Sequence, residues 1–288
     1  MLRVPVILSG AALLAAAIAP LSAVAQHRSA AQRAPAAAPL PEPPPPYAVF
    51  ADLVLAAPVI VDAAIRGATR IKGPEALNVP QGFARLYVEA DVQALIRSSA
   101  PLPPRIGYVL DVPIDARGKL PNLRKFRVLL FARAVAGATG QIQLVRPDAQ
   151  RAWTPGADEL TRRITTETIA VDAPPVVTGI GNAFHTPGNL PGEGETQIFL
   201  TTADSRPVSL NITRRPGEER RWSLSLSDVV EQAAPPPPRD TLLWYRLACA
   251  LPAALPNMGQ DGENAAVARD DYQFVIESLG RCDRGPTR

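Results

Sequence analysis

Few residues in this chain are of a type that can do chemistry. His185 lies in a run of glycines and prolines (AFHTPG), with Glu193 and Glu195 a few positions further on. The two glutamates flank Gly194 and, alternating, can face the same way. An imidazole close to two carboxylates can serve as a general base or complete a weak metal site. The plainer reading is a loop histidine beside a solvated acidic turn. As a glycosidase pair the two glutamates carry little, since closeness along a loop does not set their spacing across a sugar.

A second group is arginine-rich. Arg214 and Arg215 stand before Pro216-Gly217-Glu218-Glu219, and Arg220 and Arg221 follow it. Four guanidinium groups at a hairpin end can grip a phosphate or an acidic glycan. Charged hairpin tips also keep a sheet edge soluble, and the two intervening glutamates fit that use.

Cys249 and Cys282 are the only thiols. An even count in an exported chain predicts one disulfide. A catalytic thiol is disfavoured, because an apolar helix raises a thiol's pKa. The bridge needs its Cα atoms within about 7 Å. Two straight helices in a hairpin do not provide that unless the chain after Gly280 folds back or the second helix is short.

Several chemistries are excluded outright. His27 and His185 are the only histidines, so neither a multi-histidine metal site nor the HExxH zinc motif can be built, and CxxC pairs are absent. No GxSxG, SxxK or Walker A pattern occurs. Gly179-Ile180-Gly181 opens a dinucleotide-like pattern, but Phe184 stands where its third glycine belongs and no βαβ unit surrounds it. No metal and no cofactor is therefore expected. A formal charge of +3 gives no electrostatic case for nucleic acid. The partner chemistry left open is an envelope protein or a glycan.

The elements that must position these residues are mostly strands. Residues 59–71, 84–97, 105–112 and 141–145 alternate or pair as strands. Residues 126–132 (FRVLLFA) form a continuous apolar run, which suits a strand covered on both faces. Five strands within residues 47–150 predict a small OB-like barrel or half of a sandwich. Residues 157–168 read as a short helix. Thr178–Glu195, rich in glycine, reads as an irregular loop of the kind that is often functional.

Beyond that loop, residues 196–202, 208–213 and 222–229 predict a three-stranded antiparallel meander with one buried and one wet face. Residues 151–232 thus hold a helix, a Gly-rich loop and the meander. A proline linker and two helices, 240–251 and 264–279, occupy residues 233–288. The predicted class is mostly β with minor α.

The first stretch sets the compartment. Arg3, an apolar run from Val4 to Ala19, the breaker Pro20 and Ala23-Val24-Ala25 make residues 1–25 a secretory signal peptide, cut between Ala25 and Gln26. Removal leaves 263 residues (288 minus 25) with no second segment long enough to span a bilayer. An uncut N-terminal anchor is the alternative. Residues 26–46 are a Pro/Ala-rich disordered linker, able to reach roughly 50 Å as polyproline II. The arginine-over-lysine and Ala/Pro bias fits a GC-rich bacterial genome. The sequence therefore predicts a periplasmic or secreted protein that binds a partner or plays a structural envelope role without catalysis. The rival expectation is an envelope hydrolase built on the 178–195 loop around His185.

Overall fold

The computed structural model describes residues 45–227, 233–257 and 262–284. The expected signal peptide, its expected Ala25/Gln26 cleavage site and nearly all of the Pro/Ala tract lie outside them.

The chain is mostly β. Strands β1 (Val59–Arg70), β2 (Phe83–Arg97), β3 (Arg105–Pro113), β4 (Arg127–Ala134) and β5 (Ile142–Leu144) form an antiparallel sheet in the order β3-β2-β1-β4-β5. Strand β6 (Gln150–Ala152) adds to β4. The sheet curls until its two ends meet at a single parallel bridge, Gly107 to Gln141, so the barrel is nearly closed. Its interior is filled by alternate residues, among them Val61, Ile65, Leu86, Val88, Tyr108, Leu110 and Leu130. Period-two burial of this kind holds the register, since a one-residue slip would turn the set outward.

Strands β1 and β4 are buried on both faces. Val61 and Leu130 face the barrel interior, whereas Ile60, Leu129 and Phe131 point outward into a second core. The continuous apolar run at 126–132 is the sequence signature of that double burial.

The second core is closed by helices and by another sheet. Helix α1 (Tyr47–Ala56) opens the described chain, although the sequence read this stretch as part of the β-rich unit. Seven of its ten residues are buried. A helix covered all round shows no amphipathic period, so the usual signal is missing. Helix α2 (Pro155–Ile169) starts at Thr154, whose side chain accepts from the Ala157 amide, and buries Leu160 and Ile164. The second sheet runs β10-β9-β8-β7, with β7 (Val177–Pro187), β8 (Gly194–Thr202), β9 (Val208–Arg214) and β10 (Arg221–Ser225).

Two expectations change here. Most of the Thr178–Glu195 segment is a strand, β7, joined to β8 by a short turn, so the meander has four strands. Glycines 179 and 181 lie at register shifts of the β7–β8 ladder, close against Thr201, which is why a glycine-rich stretch can still pair. The far face of the meander is also drier than alternation implies: Ser209, Asn211 and Ser225 are buried. Ser209 is the cross-strand partner of both Phe199 and Ser225, so these small hydroxyl side chains sit in one row across the sheet with a large ring.

Helices α3 (Leu242–Ala248) and α4 (Glu263–Leu279) complete the second core. Their C-terminal ends converge. The indole Nε1 of Trp244 donates to the Leu279 carbonyl at 2.8 Å, and Gly280 turns the chain with φ 70°. Cys249 and Cys282 thereby come to a Cα separation of 5.1 Å and form a disulfide. The fold-back after Gly280 removes the geometric objection that straight helices would raise. No helix among the described residues is long and apolar enough to cross a membrane.

Candidate functional site

His185, on β7, faces Thr196, its cross-strand neighbour on β8. Its Nδ1 lies 2.9 Å from Thr196 Oγ1 and 4.0 Å from Asp271 Oδ2 on α4. Thr196 Oγ1 donates to Asp271 Oδ2 at 2.5 Å. A hydroxyl has one proton to give and the carboxylate can only accept, so His185 Nδ1 must be the donor to Thr196. The neutral ring then carries its lone pair on Nε2. That edge of the ring lies against Gly194 of β8, where a Cβ would fall 2.7 Å from Nε2 and 2.5 Å from Cε1.

Asp271 is completely buried, and its charge is balanced by Arg214 at the end of β9. Arg214 Nε donates to Oδ1 at 2.8 Å, while Nη2 reaches both Asp271 and Asp270 at 2.6 Å. Arg220 adds a contact to Asp270 at 2.8 Å and lies over the Phe274 ring. The Arg214 hydrogen bond holds the Asp270 carboxyl below its ordinary pKa. Burial pushes the His185 pKa below its ordinary value, outweighing the attraction of Asp271, and Arg214 lowers it further.

Three strands thus send side chains to one spot on α4. Thr196 is fully buried, and the His185 side chain is 6% exposed. The arrangement works as a clamp that fixes α4 to the sheet. The C-terminal end of α4 is held by the Trp244 hydrogen bond and the disulfide.

The remaining predicted site residues go elsewhere. Glu193 caps its own turn, its Oε2 accepting from the amides of Asn189 and Leu190. Glu195 accepts from the Gln197 carboxamide. Neither is brought to His185; its carboxylate partner is Asp271, on a helix the sequence did not connect with it. Of the four arginines, Arg214 and Arg220 turn inward to α4, Arg221 lies 3.9 Å from Glu218, and Arg215 is exposed at the turn. Among the described residues, no group of three or more His, Cys, Asp or Glu side chains could hold a metal.

An open concavity lies at the barrel seam instead. Beside the Gly107–Gln141 bridge, residues of β3, of β5 and of the segment after it line a groove of about 700 Å³. Tyr108, Leu110, Ile142 and Leu144 form its floor and walls, and Arg85, Arg133 and Arg146 its rim. Arg85 is held bidentate by Asp111, and Arg146 pairs with Asp148. Arg133 has no ion pair among the described residues; it donates to the Gln143 side chain. The sequence marks 105–112 and 141–145 as strands but not as a site, because a cleft between strands about 30 positions apart leaves no local pattern.

Compared with known proteins, the chain matches no family model, and no curated protein is significantly similar to it in sequence.

Proposed function

We propose that this is an exported bacterial envelope protein, periplasmic or secreted, that binds a partner without catalysis, and that its ligand site is the barrel seam. The observation that carries the reading is a contrast between two places. The imidazole that could act as a base is sealed into the α4 clamp, while the seam offers an open groove with apolar walls and a cationic rim. A groove of this size falls within the roughly 300–1,000 Å³ typical of ligand sites. The disulfide fits an oxidising compartment, in keeping with the signal-like N-terminal stretch.

Hydrogen exchange of the full chain, with and without a soluble extract of bacterial envelope, tests this. Protection gained at residues 107–111 and 141–147 is the expected result. Protection centred on residues 178–195, together with hydrolysis of an extract component, would replace it with the hydrolase reading.

A further inference from the structure

We infer that one end of the barrel, where β1 passes into β2 and β3 into β4, docks on a bilayer surface carrying anionic lipid headgroups. None of the residues that carry this inference lines the seam groove, so it holds whatever the seam binds.

Two connections meet at that end. Residues 71–82 join β1 to β2, and residues 114–126 join β3 to β4. The Ile114 amide donates to the Gly82 carbonyl and ties the two together. The Lys125 amide donates to Ile65 O at 2.7 Å and ties the second one to β1. Leu120 and Leu123 pack onto the barrel core, so this connection lies on the barrel instead of standing away from it.

The charge there is one-sided. Arg70, Lys72, Arg117, Lys119, Arg124 and Lys125 face only two carboxylates in the same stretches, Glu75 and Asp115. Six cations against two acids leave an excess of four, more than the +3 of the whole chain, so the modest total conceals a basic end. All three of the chain's lysines are here. The six side chains are exposed, and none makes an ion pair among the described residues. Arginines just inside this end are matched instead: Arg66 with Asp91, Arg85 with Asp111 and Arg127 with Asp62. Asp115 is occupied by its own turn, where it accepts from the amides of Arg117 and Lys119. Unmatched cations gathered in one place raise the potential outside them and draw a polyanionic surface.

Apolar side chains stand among these charges. Leu77 is 79% exposed and Phe126 58%. Phe126 is held there by the backbone: the Ile65 amide donates to its carbonyl at 2.8 Å, and Lys125 before it takes a left-handed conformation with φ 69°. Such a backbone is unfavourable for a lysine and persists only where its surroundings fix it. A single exposed leucine is ordinary. Apolar tips among unmatched cations fit a bilayer interface, where the tips enter the boundary between headgroups and acyl chains and the cations meet phosphates. An acidic glycan would engage the charges and leave Leu77 and Phe126 in water.

The test places an indole at this end through Leu77→Trp in the full chain and reads its emission as the difference from the unsubstituted chain. Vesicles of phosphatidylcholine alone are compared with vesicles holding about 30% phosphatidylglycerol, an anionic lipid. Both have brominated acyl chains, which quench indoles on contact. The introduced indole should shift to the blue and be quenched by the anionic vesicles only. Lys72→Gln/Lys119→Gln/Lys125→Gln in the same background should raise the lipid needed for half-saturation about 100-fold, since each cation near the surface contributes about fivefold. Lys72→Arg/Lys119→Arg/Lys125→Arg should bind as the parent does. Salt raised from about 0.05 M to about 0.5 M should weaken binding at least tenfold. An indole whose emission stays unchanged, even in chains that float with the vesicles through their N-terminal stretch, overturns the inference. Equal quenching by the two lipid mixtures overturns it too. So does emission that responds to oligogalacturonate or polyglutamate but not to vesicles, which would make the partner an anionic glycan or an acidic protein.

Discussion

Arg214 and Asp271 form an ion pair whose carboxylate is wholly removed from water, with Nε and Nη2 of the arginine at 2.8 and 2.6 Å from Oδ1. The other carboxylate oxygen receives the Thr196 hydroxyl. Both oxygens are thus matched, which makes burial of the charge tolerable. Removing one member leaves the other uncompensated. Arg214→Ala should therefore cost about 3 kcal/mol, the lower end of the range for breaking a buried pair, because Arg220 remains 3.5 Å from Asp271. Urea unfolding, followed by tryptophan fluorescence, measures it.

The same cluster sets a pH dependence. The folded His185 has a pKa below the ordinary value near 6.5, so the unfolded chain binds the proton first. Stability is then fully present above about pH 6.5 and declines as pH falls below it. Asp270 acts in a lower window: its folded pKa is depressed, so its contribution is present above the ordinary carboxylate range and is lost as pH falls through the folded value. Melting temperature recorded from pH 8 to pH 3 should show both falls, and His185→Gln should flatten the upper one only.

Gly194 is a steric requirement. Any Cβ there meets the His185 ring at 2.5 Å and the Thr186 carbonyl at 2.9 Å, and the backbone atom cannot move aside cheaply. Gly194→Ala should lose about 1–3 kcal/mol, the usual result of forcing atoms into a packed site. Thermal unfolding monitored by circular dichroism checks it.

The disulfide closes a loop with a sequence separation of 33. In the chain-entropy model a loop of that length contributes about 3–4 kcal/mol. The Cys249→Ser/Cys282→Ser double variant should lose that much stability while its barrel circular dichroism is retained. Mass spectrometry after alkylation without reductant should find no alkylated cysteine in the natural protein.

Legibility in the sequence followed the reach of the physics. Strands such as 208–213, whose alternation is local, were readable from six residues, and so was the doubly buried run at 126–132. Helix α1 was not, because YAVFADLVLA has no polar face to mark its period. Strand β7 was hidden by glycines that ordinarily signal a loop. The clamp was legible only in part: His185, Arg214 and Arg220 stood out as residue types, but their common partner on α4 lies 57 residues beyond Arg214 and 75 beyond Thr196. Only the packing of sheet against helix brings them together. The seam is an absence of pairing, and a missing ladder has no residue pattern at all.

A ligand site at the seam requires the seam to be open in the free protein, and amide hydrogen exchange read by NMR addresses that most directly. The amides of Val109, Asp111 and Leu144 should exchange within about tenfold of unfolded-chain rates, while those of Val61 and Leu129, inside the central strands, exchange only on global unfolding. Seam amides protected as strongly as those central ones would mean a barrel paired all the way round, with no open ligand site at the seam.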